Sequence, residues 1–234
     1  MPQDTTRLDA KVAFLSDHPM FRDIARGALV QLCHYAKTRK YRKGAVVFSK
    51  GDPGDRLLVV MSGTVKIGIS AASGRSTIFN LVGAGELIGE IAFLDGSPRT
   101  ADAIANAACE ILSFDKRDFQ PFMESQPALL LKFIDLLCRR LRWVSQHAEQ
   151  IGLPDLQTRL ARTLVRLGDR DAVDGKVAVT QQELSEMIGM SRESINRQLR
   201  AWVAQGWLRL GHGHVVVLDH AALQATAAED APAG

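Results

Sequence analysis

At Gln126 the chain changes its hydrophobic period, and that change limits what it can fold into. From about residue 40 to 115 short β-rich runs alternate with glycine turns: "AVVF", "KGDPGD", "RLLVVMSG", "TVKIGIS", "AASGRS", "TIFNLVG" and "CEILSFD". Many short strands, each ended by Gly, Asp or Ser, predict a compact antiparallel barrel or roll. From Gln126 onward, "QPALLLKFIDLLCRRLRWVSQHAEQIG" places Leu130, Ile134, Leu137, Leu141, Val144, Ala148 and Ile151 at alternating steps of four and three. This is the a/d seam of a coiled coil, running for about three heptads, and it predicts a homodimer. The alternative is a helix that packs on its own barrel through Phe133 and Leu136.

Gly152 and Pro154 then break the helix, and Asp155 is placed to cap the next one, "DLQTRLARTLVRLG", which makes this stretch a hinge candidate. The last third carries "VTQQELSEMIGMSRESINRQLRAWVAQGWLRL". Thr180 and Glu183 have capping-box spacing, Leu184 and Ile188 mark an inner face, Gly189 supplies a turn, and Ser191 caps a second helix. In that second helix Ile195, Leu199, Trp202 and Val203 are expected inside. Arg192, Glu193, Asn196, Arg197 and Arg200 are left on an outer stripe. A helix of this width fits the major groove, where Arg pairs with guanine and Glu accepts from the cytosine amino group. "WLRLGHGHVVVL" reads as a hairpin wing turned at Gly211 and Gly213, with His212 and His214 as solvated wing residues. The plain alternative is a small helical domain with a charged surface. The fold class is therefore α+β, divided into a β-roll sensor over 1–125, a dimerisation helix and hinge over 126–153, and a winged helix-turn-helix over 154–234.

A net charge of +3 permits a nucleic-acid partner without requiring one. Cys33, Cys109 and Cys138 are odd in number and scattered, with no CxxC spacing and no clustered histidines, so neither a disulfide framework nor a metal site is expected. No run reaches the roughly 18 apolar residues of a membrane helix, and the N-terminus has no continuous apolar segment, so a cytoplasmic protein without a membrane partner is expected. Metal-binding carboxylates with histidines, a Gly-x-Ser-x-Gly elbow and a Walker loop are all missing, which argues against an enzyme.

One stretch remains. "GELIGEIAFLDGSPRTADA" places Gly89 and Glu90 at one end of a loop and Arg99 and Thr100 at the other. The acid and the cation form either a surface ion pair or one pocket for a ligand that has both a hydroxyl and an anionic group.

Roll, long helix, hinge and winged helix-turn-helix in this order resemble the Crp/Fnr family of bacterial transcription regulators over nearly the whole chain. "GMSRESINRQLRAW" looks like the family's recognition helix, and the resemblance gives Arg192, Glu193 and Arg197 the reading of a palindromic TGTGA-type half-site on double-stranded DNA. "KGDPGDRLLVVMSGTVKI" and "GEIAFLDGSPRTA" look like a cyclic-nucleotide-binding domain and its phosphate cassette. By resemblance Glu90 accepts from the ribose 2'-hydroxyl, and Arg99 with Thr100 takes the cyclic phosphate. Gly89 and Ile91 lend backbone. Glu86 is a rival acid, but Glu90 has the family spacing to Arg99. Where cAMP-responsive members carry a Thr-Ser pair that meets the purine, this chain has Val144 and Ser145. Valine lacks the donor and acceptor of threonine, so the expected effector is cAMP, cGMP or both. The resemblance also implies RNA polymerase as a partner, with "DRDAVDGK" a candidate contact loop. The cysteine cluster of oxygen-sensing members is missing, and His18 and His34 lie in no recognisable haem motif. The rival reading keeps the fold but regulates constitutively or answers a different small molecule.

Overall fold

The computed structural model describes residues 2–70, 76–151, 155–171 and 175–228. They form two compact units, one of Met1–Ala71 with Phe79–Arg142, the other of Ala72–Ile78 with Trp143–Gly234.

The first unit opens with helices α1 (Pro2–Asp17) and α2 (Arg26–Tyr35), followed by strands β1 (Lys37–Tyr41), β2 (Val46–Phe48), β3 (Arg56–Ser62), β4 (Val65–Ser70), β5 (Ser76–Val82) and β6 (Leu87–Ile88). A short helix α3 (Glu90–Asp95), strands β7 (Asp102–Ala105) and β8 (Cys109–Asp115), helix α4 (Lys116–Glu124) and the long helix α5 (Pro127–Ile151), of which residues up to Arg142 belong to this unit, complete the sequence of elements. The strands make two four-stranded sheets, ordered β1-β8-β3-β6 and β2-β7-β4-β5. The described pairings are antiparallel, for example Leu58↔Ile88 and Val59↔Leu112. This is the expected roll.

Strand β3 explains how the roll is held. Leu57 and Val59 join Leu112 and Phe114 in a core shared with Val12, Leu15, Phe21, Leu29 and Phe133, while Leu58 and Val60 join Ile111, Val65 and Ala103 in a second core between the sheets. Successive side chains on a strand point to opposite faces, so a strand covered on both sides reads as an unbroken apolar run, here "LLVV". Phe119 sits at the centre of the first core, with the rings of Phe21, Phe93, Phe114 and Phe133 at centroid distances of 5.2 to 6.3 Å.

Both readings of α5 have a face of their own. Leu129 and Phe133 are 1% and 2% exposed, and Leu136 packs against the same core. The seam residues Leu130, Ile134, Leu141 and Val144 remain 37%, 56%, 67% and 52% exposed, and Leu137 is half-buried. The side chains of Ala148 and Ile151, and the hinge residues Gly152 and Pro154, lie outside the described residues.

The second unit contains α6 (Leu156–Asp171), β9 (Lys176–Val177), α7 (Gln181–Ile188), α8 (Arg192–Ala204), β10 (Leu208–Gly211), β11 (His214–Val217) and α9 (His220–Ala228). Asp155 caps α6, accepting from the backbone N–H of Gln157 and Thr158 and from the Thr158 hydroxyl. Leu160, Leu164, Leu184, Ile195, Leu199, Trp202 and Leu223 are at most 1% exposed and form the apolar interior. Val203, expected inside, is 40% exposed. The stripe through 195, 199 and 202 defines the buried face, and residue 203 falls about 100° beyond Trp202, on the flank. Helix α9 packs on α6, where Arg162 Nε donates to the Ala227 carbonyl at 2.6 Å. No helix among the described residues is long and apolar enough to cross a membrane. In "DRDAVDGK", residues 172–174 lie outside the described residues.

Candidate functional site

The loop that carries Gly89 to Thr100 starts from β6, which is fixed by pairing with β3. Gly89 has φ 77°, and a Cβ there would stand 2.1 Å from Arg99 Nη1, so position 89 requires glycine both for its backbone and for space. The Gly89 carbonyl accepts from Arg99 Nη1 at 2.6 Å, and the Arg56 carbonyl accepts from Arg99 Nη2 at 2.6 Å. The guanidinium lies 4.6 Å above the Phe48 ring, close enough for a cation–π contact. The backbone around Arg99 is held as well: its N–H donates to the Asp52 carbonyl, and its own carbonyl accepts from Gly51 N–H, each at 2.8 Å. Arg99 is 5% exposed, and burial draws its pKa below the usual arginine value against the opposing pull of Asp55, Glu90 and Asp52.

Glu90 is 1% exposed at the first position of α3. A buried carboxylate is costly unless it is paired, and the partner is Arg140 of α5, whose Nη1 donates to Glu90 Oε1 and whose Nη2 donates to the Leu87 carbonyl. Glu90 and Arg99 therefore do not pair with each other, and neither is a surface residue. Each also keeps one buried polar atom that has no hydrogen-bond partner among the described residues, Oε2 of Glu90 and Nε of Arg99. One is an acceptor and the other a cationic donor. Together they suit a ligand that offers a hydroxyl and an anion. A 140 Å³ cavity, lined in part by Tyr41, Phe48, Asp52 and Arg56, adjoins Arg99. Ile91 and Thr100 are exposed and Gly89 is half-buried. Val144 and Ser145 are exposed on α5.

Arg140 was not legible as a site residue, because between Leu137 and Leu141 it reads as an ordinary surface cation of an amphipathic helix. The available signal was the need of a buried Glu90 for a partner. His18 and His34 differ. His34 is exposed, while His18 is 5% exposed and accepts from the Met20 N–H through Nδ1 at 3.0 Å. That leaves its Nε2–H to donate to the Gly85 carbonyl at 2.7 Å, and burial lowers its pKa. Among the described residues no cluster of His, Cys, Asp or Glu could hold a metal ion.

In the second unit, Thr180 and Glu183 make the reciprocal capping box: Thr180 N–H donates to Glu183 Oε2 at 2.6 Å, and Glu183 N–H donates to Thr180 Oγ1 at 3.1 Å. Gly189 ends α7 with φ 73°, and Ser191 Oγ accepts from Ser194 N–H at 3.2 Å to start α8. On α8, Arg192, Glu193, Arg197 and Arg200 are exposed and Asn196 is half-buried, opposite the buried Ile195, Leu199 and Trp202. Arg159 of α6 donates to the Ile188 carbonyl and ties the end of α7. β10 and β11 form the wing, turned at Gly213 with φ 74°. His212 is exposed and His214 half-buried.

Comparison with known proteins matches both units. Residues 38–126 fit the model of the cyclic nucleotide-binding domain, and residues 158–226 fit that of the Crp-like helix-turn-helix domain. The cyclic AMP receptor protein of Thermus thermophilus is 31% identical over 206 residues, 88% of this chain and 95% of that protein. The CRP-like cAMP-activated global transcriptional regulator of Mycobacterium tuberculosis is 29% identical over 206 residues, 86% of this chain and 92% of that protein. Among solved structures, CLP of Xanthomonas campestris, described as a c-di-GMP-responsive global regulator, superposes with a TM-score of 0.69 at 25% identity, covering 83% of this chain and all of that one. With a sensor-type β-roll followed by a capped, winged helix-turn-helix, and relatives that match it over almost their whole length, the chain belongs to the Crp/Fnr family of DNA-binding transcription regulators and is not an enzyme.

Proposed function

We propose that the chain is a cytoplasmic homodimer that binds a palindromic TGTGA-type DNA site and is gated by cAMP or cGMP in the Gly89–Thr100 cassette. The carrying observation is the pair of buried polar atoms, Glu90 Oε2 and Arg99 Nε, that have no hydrogen-bond partner among the described residues. A ribose hydroxyl supplies what the first lacks, and a cyclic phosphate supplies what the second lacks. Gly89, Ile91 and Thr100 add backbone and hydroxyl contacts, and Ser145, on the same helix as Arg140, is the proposed partner of the purine. Two relatives named for cAMP favour that nucleotide.

Homodimerisation is supported by the exposed apolar residues of α5, with Leu130, Ile134, Leu137, Leu141 and Val144 repeating at coiled-coil spacing and Ala148 and Ile151 continuing the pattern in sequence. A dimer presents two recognition helices, which must lie about 34 Å apart to enter successive major grooves. On each, Arg192, Glu193, Asn196, Arg197 and Arg200 face the bases or phosphates, while Thr180 and Ser191 offer capped helix N-termini to the backbone. The effector acts by preferring the arrangement with that spacing; a shift from 1:99 to 99:1 needs a preference of about 5.5 kcal/mol, shared between two sites. RNA polymerase is the partner of the bound dimer.

Calorimetric titration of the full chain with cAMP and with cGMP tests the effector. Binding of one of them, lost in Arg99→Ala, supports the reading, and silence with both favours the alternative that the same fold acts constitutively or on another small molecule. That alternative has its own observations: Val144 has no hydrogen-bonding side chain for a purine, and a relative of the same fold is described as c-di-GMP-responsive.

A further inference from the structure

An 800 Å³ cleft opens where α1, α2 and the edge strand β1 meet. It lies wholly in the first unit and shares no residue with the Gly89–Thr100 cassette. Its volume falls in the range of small-molecule sites, about 300–1,000 Å³. The floor is apolar, made by Leu8, Cys33, Ala36 and Met61, and the rim is cationic, with Arg7 and Lys11 from α1 and Lys37 and Lys40 from β1. Glu110 is the carboxylate in the lining, opposite Lys40 in the β1–β8 register.

The four cations do not stand alike. Lys11 Nζ is committed to the Ala36 carbonyl at the end of α2, at 2.6 Å, and Lys37 Nζ to Asp115 at 2.5 Å. The side chains of Arg7 and Lys40 have neither a hydrogen bond nor an ion pair among the described residues. Arg7 and Lys11 stand four residues apart on one helix, where like charges repel, and no acid in the cleft reaches either of them. With Lys37 paired to Asp115 and Glu110 standing opposite Lys40, two net positive charges remain on the rim.

We infer that this cleft binds a polyphosphorylated small molecule, its apolar or aromatic body over Leu8, Ala36 and Met61 and its phosphates between Arg7 and Lys40. The planar guanidinium of Arg7 matches two phosphate oxygens at once, and Lys40 adds a point charge. A cyclic monophosphate is the poorer match, since its one negative charge leaves half of that excess uncompensated. The wide, open, multiply charged cleft and the narrow cassette with its one buried arginine thus select different anions.

Titration of the full chain with ATP and with inorganic tripolyphosphate tests the assignment. Both probes bind the wild type, more weakly as salt is raised. Arg7→Ala/Lys40→Ala lowers the affinity at least about tenfold, because two charge-assisted contacts are lost, whereas Arg99→Ala leaves it unchanged. Both replaced side chains are exposed, and Arg7→Lys/Lys40→Arg, which keeps the charge but loses the fork at position 7, weakens binding less than the alanine pair does. Three results overturn the assignment: no binding of either probe, loss in Arg99→Ala with retention in the double variant, or an equal loss in Lys43→Ala/Lys50→Ala, whose side chains lie outside the cleft. Failure of cAMP and cGMP to bind leaves this test intact, since the two sites share no residue.

Discussion

Arg140 of α5 holds Glu90 of the cassette: its Nη1 donates to Glu90 Oε1, and its Nη2 donates to the carbonyl of Leu87, in β6, three residues earlier. The same carboxylate keeps its second oxygen without a hydrogen-bond partner among the described residues. The residue proposed to take a ribose hydroxyl is thus also the residue that ties the roll to its long helix.

Arg140→Ala strands a carboxylate that is 1% exposed. Breaking such a pair from one side costs about 3–5 kcal/mol when both partners are buried. Arg140 is one-third exposed, so a loss nearer about 2 kcal/mol is expected. Urea denaturation measures it. Arg140→Ala combined with Glu90→Gln should recover part of the loss, because the stranded charge is then gone.

Gly89→Ala attacks the cassette from the backbone. The position has φ 77°, and the new Cβ would meet Arg99 Nη1 at 2.1 Å. A strained backbone of this kind costs about 1–3 kcal/mol, and the guanidinium must leave its two carbonyl partners. Thermal denaturation should show the first effect, and nucleotide titration the second. An unchanged nucleotide affinity would separate Arg99 from the binding chemistry.

His18 makes stability depend on pH. Burial lowers its pKa below 6.5, with Lys132 adding to the effect and the Gly85 hydrogen bond opposing it. The folded chain then binds fewer protons than the unfolded chain, so stability is full above about pH 6.5 and falls as the pH drops through the folded value. Protonation also removes the Nδ1 acceptor of the Met20 N–H. Urea midpoints at pH 7.5 and pH 5.5 should differ, and the difference should shrink in His18→Gln.

How much of this was legible in the sequence depends on the range of the interaction. The capping box at Thr180, the turn at Gly189 and the cap at Ser191 are made by residues three or four apart, and all three were read correctly. The alternating strands of the roll and the two faces of α5 were legible for the same reason, since period alone separates Phe133 from Ile134. What escaped was long-range or weakly patterned. Arg140 meets Glu90 across 50 residues of chain. Strand β1, "KTRKY", carries no apolar alternation because it is an edge strand with exposed lysines, and such edges are commonly charged. Helix α9 is nearly uniform in small and apolar residues, so no periodic face announces it.

Arg192→Ala tests the reading face of α8. Loss of a bidentate arginine contact should relax preference at one base pair by about 1–3 kcal/mol while other positions keep theirs. Competition among half-sites changed one base pair at a time measures this. An equal loss on every sequence would instead make Arg192 a phosphate contact.

The most direct test of gating is the affinity of the full chain for a palindromic TGTGA-type fragment, followed by fluorescence anisotropy while cAMP and then cGMP are added. One nucleotide should raise DNA affinity by about 5- to 150-fold, the usual range of allosteric coupling, and Arg99→Ala should abolish the rise without weakening the nucleotide-free complex. DNA affinity that stays the same with both nucleotides, at concentrations that saturate the cassette, would contradict gating.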